Sequence, residues 1–212
     1  MRKNRNEMNY WEFNNSFLDE VCINVHQINA KFPGMDKNNL SRWVRRGKLI
    51  KLRNGFYSFP EYINESSSQM YIANRIYKPS YISLHTALSF YGIIPEGVIN
   101  ITSITTLKTA EFENRFGTFS YKTIQPGFFF GYWQRPYLRD MTFLLAEPEK
   151  AIADLLYIYT FYDTRKEIEE LRFDRDIINE LVNPIKLIEY AGRFNNKALT
   201  NRVRILMGVC GI

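Results

Sequence analysis

The chain has 212 residues, a net charge of +6 and a hydrophobic content of 45%, a composition that excludes an intrinsically disordered protein. No apolar run approaches the ~20 residues that cross a bilayer, and no signal-peptide core follows the polar start, so we expect a cytoplasmic protein without a membrane partner. Cys22 and Cys210 are too far apart in sequence to suggest a disulfide framework or a zinc site.

The N-terminal part is predicted to form a basic arm followed by two short helices. Residues 1–10 are polar and basic, and we expect them to be a flexible arm. Ser16 with Asp19 has the spacing of a capping box that begins a first helix, and Asn24 with Gln27 predicts the start of a second.

A basic helix is predicted between Asp36, a good N-cap residue, and Gly47, which has the position of a C′ glycine. Leu40, Trp43 and Val44 recur at helical spacing and would face a core. The opposite side carries the polar and basic side chains of Asn38, Asn39, Ser41, Arg42, Arg45 and Arg46. Arginine suits guanine and asparagine suits adenine in the major groove, so this face favours base recognition. A solvated amphipathic helix is the alternative.

A β-hairpin is predicted directly after this helix, with Asn54 and Gly55 as its two-residue turn. The turn predicts the pairs Arg53 with Phe56, Leu52 with Tyr57, Lys51 with Ser58 and Ile50 with Phe59. The side chains expected to point inward are Ile50, Leu52, Tyr57 and Phe59. The side chains expected to point outward are Lys51, Arg53 and Ser58.

Positive charge is concentrated in this helix and hairpin. Residues 35–59 contain seven basic residues and one acidic residue, a net charge of +6 that equals the surplus of the whole chain. Helix, helix, basic helix and hairpin follow one another in the order of a winged helix-turn-helix domain, which we predict over residues 11–62 with double-stranded DNA as its partner. The predicted base-reading residues are Asn38, Ser41, Arg42 and Arg45. The predicted phosphate-binding residues are Arg46, Lys48, Lys51 and Arg53.

The middle of the chain, residues 63–160, is predicted to be a mixed α/β domain. The serine-rich stretch at residues 60–69 marks the boundary before it. Helices are predicted at residues 69–77 and 83–91, and strands at residues 98–105, 117–124 and 141–146. The aromatic run at residues 128–133 is expected to fill a core, and exposure of its rings would instead indicate a protein interface.

From Glu147 onward the pattern is helical. Pro148 suits a helix N1 position, and Ala151, Ile152 and Leu155 begin a buried stripe. Further helices are predicted at residues 164–172, 175–182, 184–194 and 197–207. Residues 161–212 would form a helical C-terminal subdomain, which gives an α+β fold class overall: an N-terminal winged helix-turn-helix, then a mixed α/β domain with a helical C-terminal part.

The sequence contains little that indicates catalysis. His26 and His85 lie in predicted helices, where a lone histidine is usually structural. No nucleotide-binding, metalloprotease or serine-hydrolase motif occurs. An enzyme would need Glu147, Asp154, Asp174 and Asp176 to converge with a lysine in one pocket. We therefore expect no catalytic, cofactor-binding or metal-binding residues.

Three segments together resemble the AbiEi family. They are LSRWVRRGKLIKLRNGFYSFP at residues 40–60, YISLHTALSFYGIIPE at residues 81–96 and AEPEKAIADLLY at residues 146–157. Members of that family are antitoxins and transcriptional autoregulators of type IV toxin–antitoxin pairs that act in abortive infection. The resemblance covers roughly residues 16–160, and it implies only structural roles for His85 and Asp154.

The resemblance implies a cytoplasmic autorepressor that binds inverted repeats in its own promoter as a monomer or homodimer. Its functional partner would be a nucleotidyltransferase toxin encoded next door, whose effect it opposes. This chain is not that toxin, because it contains no Gly-Ser dipeptide followed by Asp-x-Asp. The alternative hypothesis is a protein-interaction module that binds a partner toxin directly through its C-terminal part.

Overall fold

The computed structural model describes residues 9–65, 67–95, 97 and 100–212. Within these residues the protein is a mixed α+β structure with one three-stranded and one six-stranded sheet. No helix in this part of the chain has the length and apolar character needed to cross a membrane. The predicted basic arm lies mostly outside the described residues, as do Ser66 of the predicted boundary and Val98 and Ile99 of a predicted strand.

The N-terminal part combines three helices with the smaller sheet. In chain order the elements are α1 (Tyr10–Phe17), β1 (Ile23–Asn24), α2 (Val25–Lys31), α3 (Asn38–Arg45), β2 (Ile50–Arg53) and β3 (Phe56–Ser58). The strands are antiparallel, in the order β1-β3-β2. One compact core joins them, formed by Phe13, Phe17, Ile23, Ile28, Leu40, Trp43, Leu49 and Phe59.

The first helix differs from the prediction. Ser16 lies in its last turn and does not begin it, because Asn9 provides the N-cap by accepting a hydrogen bond from the Trp11 amide at 3.1 Å. The helix then buries Phe13 and Phe17. An asparagine directly before apolar residues at helical spacing was a signal for this start in the sequence.

The second helix begins as predicted. Asn24 and Gln27 form a capping box, in which the Asn24 backbone N–H donates to Oε1 of Gln27 at 2.8 Å. The adjoining strand β1 was not predicted, because its two residues are too few to show a periodic pattern.

The hairpin has the predicted turn but a different register. Arg53 pairs with Phe56 as predicted, whereas Lys51 pairs with Tyr57 and Ile50 with Ser58, so that Leu52 forms a bulge. The predicted pairs of Lys51 with Ser58, Leu52 with Tyr57 and Ile50 with Phe59 are therefore wrong. The bulge inserts one residue into β2 and shifts every pair beyond it.

The larger sheet forms the centre of the rest of the protein. Its strands are β4 (Ser80–Ile82), β5 (Ile101–Thr105), β6 (Ala110–Asn114), β7 (Gly117–Thr123), β8 (Tyr132–Pro136) and β9 (Thr142–Ala146). They lie in the order β6-β7-β5-β4-β9-β8, with β5 parallel to β7, β4 parallel to β9 and the other pairs antiparallel. The predicted strands at residues 117–124 and 141–146 are confirmed as β7 and β9.

Strands β4, β6 and β8 were not predicted from the sequence. β4 has three residues and is buried on both faces, so it shows no alternation. β6 lies at the sheet edge and is rich in glutamate and asparagine, which strands usually disfavour. β4 is stabilised by pairing with β5 and β9, which are distant in sequence, whereas β6 pairs with the next strand, β7, across a two-residue turn.

The predicted helices of the middle and C-terminal parts are confirmed, with shifted ends. They are α4 (Ser68–Ile76), α5 (Leu84–Phe90), α6 (Pro148–Ile158), α7 (Arg165–Glu169), α8 (Arg175–Leu181), α9 (Pro184–Arg193) and α10 (Lys197–Cys210). Pro148 occupies the first turn of α6, and Ala151, Ile152 and Leu155 are buried as predicted.

The hairpin also packs against the larger part of the protein. Val21, Cys22, Ile50 and Leu52 belong to the main hydrophobic core and not to the N-terminal one. The side-chain amide of Asn114 donates to the Leu52 carbonyl at 3.1 Å. The predicted domain boundaries stay a prediction, but the hairpin contacts both cores.

Candidate nucleic-acid interface

Helix α3 is held against the N-terminal core by its apolar side. Leu40 and Trp43 are buried there, as predicted. The N-cap of α3 is Lys37 and not the predicted Asp36, although Asp36 Oδ1 accepts a hydrogen bond from the Asn38 amide at 2.9 Å. Gly47 adopts a φ of 68° just after the helix end, as predicted. The burial of Leu40 and Trp43 determines which side of α3 faces outward.

One strip of α3 faces solvent along its whole length. Asn38, Ser41 and Arg45 recur at i, i+3 and i+7, and all three side chains are exposed. The strip offers an amide, a hydroxyl and a guanidinium in a row, the groups that hydrogen-bond base edges in a major groove.

A second strip, rotated by about 100° around α3, is partly closed. Asn39 is buried and Arg42 is half-buried, and the Arg42 guanidinium donates to Oδ1 of Asn39. The prediction that Asn39 flanks an exposed face is therefore wrong. The base-reading role of Arg42 stays a prediction, although its guanidinium is oriented along the helix by Asn39.

Three further cations follow in sequence, from the end of α3 into strand β2. Arg46, Lys48 and Lys51 are exposed. Lys48 Nζ lies 4.3 Å from the centre of the Tyr10 ring, and the Tyr10 hydroxyl donates to the Lys48 carbonyl at 3.1 Å. Burial and the charge of Glu61 raise the pKa of Tyr10, so this phenol stays a hydrogen-bond donor at neutral pH.

Arg53 does not belong to this surface. Its Nη1 donates to the Ile76 carbonyl at 2.7 Å, and its guanidinium lies 4.6 Å from the centre of the Phe112 ring and 5.3 Å from that of Tyr77. The prediction that Arg53 points outward from the hairpin is wrong, because aromatic rings and a carbonyl of the main body bind it. We leave it out of the candidate interface.

Ser58 also differs from the prediction. Its side chain is fully buried, and the hydroxyl donates to the Val21 carbonyl at 2.6 Å. The Leu52 bulge causes this, because it places Ser58 opposite the buried Ile50. Ile50, Leu52 and Phe59 are buried as predicted, while Tyr57 is only half-buried.

A scan against models of known protein families found no match to this chain, and a search of curated proteins found none either. The resemblance to the AbiEi family thus stays a prediction from the three quoted segments.

The four carboxylates on which an enzyme would depend lie in different surroundings. Glu147 Oε2 accepts from Tyr190 at 2.7 Å and pairs with Lys186 at 2.5 Å, at the start of α6. Asp174 caps α8 through the amides of Asp176 and Ile177, at 3.0 Å each. Both are helix-terminus interactions within the fold.

Asp154 lies in the core of the protein. It is fully buried, forms an ion pair with the equally buried Lys150, and accepts hydrogen bonds from Tyr81 at 2.9 Å and Ser83 at 2.8 Å. Burial raises the pKa of Asp154 and lowers that of Lys150, and their mutual attraction opposes both shifts. Neither side chain of the pair is accessible to solvent.

The histidines and cysteines form no cluster in the part of the chain that the structure describes, where no group of three potential metal ligands occurs. His26 is exposed on α2, and the His85 ring lies 5.4 Å from that of Tyr159. Cys22 and Cys210 are buried free thiols. Burial raises the pKa of Cys22 to about 12, so this thiol is not a nucleophile at neutral pH.

The aromatic run packs against neighbouring helices, but not as alternate residues of a strand. Phe128 and Phe130 lie before β8 and contact Phe194, with ring centres 4.7 and 6.1 Å apart. Trp133 is 42% exposed. The prediction that the run fills a core holds only in part. Trp133 lies at the surface, and the other rings are half-buried and pack against the main core: Phe128, Phe129, Phe130 and Tyr132.

Proposed function

We propose that this protein is a cytoplasmic, sequence-specific DNA-binding autorepressor whose N-terminal part is a winged helix-turn-helix. In this proposal α3 is the recognition helix and the β2–β3 hairpin is the wing. The protein binds double-stranded DNA at inverted repeats in its own promoter, as a monomer or homodimer, and needs no cofactor. It acts as the antitoxin of an AbiEi-type pair whose toxin is a nucleotidyltransferase.

The observation that carries the proposal is the exposed strip of Asn38, Ser41 and Arg45. Buried Leu40 and Trp43 hold α3 from behind, so the strip is presented on a fixed helix and not on a mobile loop. A helix of this width fits the major groove of B-form DNA, and donors at its outer side reach base edges.

The charge distribution supports the same assignment. Among the described residues, no carboxylate forms an ion pair with Arg45, Arg46 or Lys51. Cations left without protein counter-charges on one surface attract the DNA backbone. The residues beyond 147 carry equal numbers of acidic and basic side chains, so the C-terminal part adds no net attraction.

The test is binding of the full chain to the DNA upstream of its own coding sequence, measured by fluorescence anisotropy. Arg45→Ala should weaken binding to the specific site by about 1–3 kcal/mol and relax discrimination at one base pair, with little change on random DNA. Arg204→Ala removes the same charge from an exposed position on α10 and should change neither. Equal binding of all three proteins to specific and random DNA would refute the proposal.

The antitoxin role rests on the family resemblance and needs its own experiment. Co-expression with a nucleotidyltransferase encoded beside this gene should restore growth that the toxin alone arrests. Arg45→Ala should retain this rescue if repression and antitoxicity are separate activities. Failure of the wild-type chain to rescue growth would remove the antitoxin role while leaving DNA binding intact.

A second candidate function is direct capture of the toxin by the C-terminal part. It is favoured by apolar side chains on α8 and α9, where Leu181, Ile185 and Ile188 are 39%, 79% and 50% exposed. Exposed apolar side chains in one region are typical of protein interfaces. Co-purification with the toxin that is abolished by Ile185→Glu, with DNA binding unchanged, would support this function over the first.

A further inference from the structure

A narrow basic cleft lies beside the exposed strip of α3, between this helix and the start of α1. Its volume is about 320 Å³, and its walls are predominantly polar. The residues that line it are Asn9, Tyr10, Asn39, Arg42, Trp43, Arg46 and Lys48. Asn39, Arg42 and Arg46 come from the second strip of α3, at i, i+3 and i+7.

Among the described residues that line the cleft, every charged side chain is basic. Arg42, Arg46 and Lys48 contribute three cations, and none of the described residues that line it is acidic. The first residues of α1 also border the cleft, and the N-terminal end of a helix carries partial positive charge. Such a site favours an anion over a neutral or cationic ligand.

Asn39 provides a second and independent observation. Its side chain is only 1% exposed, and its Oδ1 accepts from the Arg42 guanidinium. The Nδ2 amide of the same side chain has no hydrogen-bond partner. Buried donors in folded proteins are almost always paired, so this unpaired donor beside a cationic cleft points to an acceptor that binds from the cleft after a small movement of the Asn39 side chain, because Nδ2 has less than 1 Å² of accessible surface as the structure stands.

We propose that this cleft binds a tetrahedral phosphate oxyanion, and that the oxyanion is one backbone phosphate of the DNA bound by α3. The choice of the DNA backbone as its source rests on the proposed function. A phosphate has only acceptor oxygens, which match the amide of Asn39 and the guanidinium and ammonium groups of the cleft. In this proposal Asn39 and Tyr10 take part in DNA binding, and Arg42 and Arg46 contact the DNA backbone.

Because of the position of the cleft, a phosphate bound there would position α3 on the DNA. It adjoins the strip of Asn38, Ser41 and Arg45, so a phosphate held there sets how far α3 enters the groove and its rotation about its own axis. Phosphate contacts of this kind fix register without reading sequence. The strip then reads bases from a defined position.

The first arm of the test uses inorganic phosphate and the full chain. Side-chain amide resonances are followed by NMR while phosphate replaces chloride at constant ionic strength. The resonance of the Asn39 side-chain amide should shift with phosphate concentration and reach a plateau. In the Lys48→Ala variant this shift should not reach a plateau. Shifts that are equally small in phosphate and chloride would overturn the proposal.

The second arm uses duplex DNA in which single phosphates are replaced by neutral methylphosphonates. One position should weaken wild-type binding several-fold and have no effect on Lys48→Ala, whereas Lys51→Ala, a matched variant outside the cleft, should remain sensitive there. Asn39→Asp, which keeps the acceptor and replaces the donor with a charge, should behave like Lys48→Ala. If Lys48→Ala and Lys51→Ala respond alike at every position, the DNA backbone is not bound in the cleft.

The two arms separate this inference from the proposed function. Saturable phosphate binding by a protein that binds no DNA would support an oxyanion site filled by a free phosphate and would refute the DNA-binding function. Specific DNA binding without a cleft-dependent phosphate position would retain the function and overturn the assignment of the cleft to the backbone.

Discussion

Charged side chains are exposed in the N-terminal part of the chain and are largely paired within the fold around α6. On α3 and the hairpin, Arg45, Arg46 and Lys51 project into solvent. Around α6, charged groups turn inward: Lys150 pairs with Asp154, and Glu147 pairs with Lys186. The net charge of the chain reflects only the exposed cations, because the charges around α6 pair with one another and cancel.

The difference shows that a sequence rich in Lys, Arg, Asp and Glu contains two populations with different functions. Exposed surface ion pairs contribute little to stability, whereas breaking a buried pair is costly because an uncompensated charge is left behind. Substitutions around α6 should therefore change the free energy of unfolding, and substitutions on α3 should change ligand binding. Four substitutions test this division.

The largest effect is expected for Asp154→Ala. The substitution leaves the Lys150 ammonium buried without its carboxylate and removes the acceptor for Tyr81 and Ser83. The free energy of unfolding should fall by about 3–5 kcal/mol, measured by urea denaturation. The double variant Lys150→Met/Asp154→Leu removes both charges and should recover much of the loss. A double variant as unstable as the single one would contradict this explanation.

Arg53→Met tests the one hairpin cation that belongs to the buried population. It should lower the free energy of unfolding by about 1–3 kcal/mol, because the Ile76 carbonyl loses its donor and the rings of Tyr77 and Phe112 lose their cation. The salt dependence of DNA binding should not change. An unchanged unfolding free energy together with a flatter salt dependence would return Arg53 to the DNA-binding surface.

Lys51→Met tests its exposed neighbour two residues earlier. The free energy of unfolding should stay within about 0.5 kcal/mol of wild type, since the side chain is exposed. Binding to specific and random DNA should weaken alike, and the slope of log affinity against log salt should flatten by about 0.9. A loss confined to the specific site would instead make Lys51 a base contact.

The smallest effect is expected at the start of α7. Hydrogen bonds from the Thr164 backbone and hydroxyl, followed by one from the Asp163 backbone, hold the pKa of Glu167 below its usual value of 4.5. A lowered folded-state pKa gives stability that is present above pH 4.5 and is lost as pH falls through the folded pKa. Glu167→Gln should remove this part of the acid dependence of unfolding.

Glu180→Gln, an exposed change of the same kind on α8, is the control for Glu167→Gln and should leave the acid dependence as in wild type. If the free energy of unfolding fell with decreasing pH in the same way for all three proteins, the capping box would not distinguish Glu167 from a surface glutamate.

Local signals predicted much of the fold. The Asn54-Gly55 turn, the capping box of Asn24 and Gln27, and Gly47 after α3 each depend on neighbours within a few residues. Helix periodicity likewise gave α4 to α10. These features could be predicted because the interactions that stabilise them are close in sequence.

The misplaced features depend on distant residues. Arg53 is bound by Ile76 and Phe112, and Ser58 by Val21, so neither orientation follows from the hairpin alone. The sequence shows that Asn39 shares a helical strip with Arg42 and Arg46, and this separation from Asn38, Ser41 and Arg45 could have suggested a different environment for its side chain. Tyr10, which lines the same cleft, was assigned to a flexible arm.

The attachment of the hairpin tip has a consequence for any shortened form of the protein. Arg53 donates a hydrogen bond to the Ile76 carbonyl, and the Leu52 carbonyl accepts one from Asn114. Ile76 and Asn114 both lie beyond residue 62. A fragment that ends at residue 62 would keep α3 and lose these two hydrogen bonds of the hairpin. β3 would still pair with β1, but Leu52 and Arg53 would lose their contacts with the larger part of the protein, so the position of the hairpin depends in part on residues far along the chain.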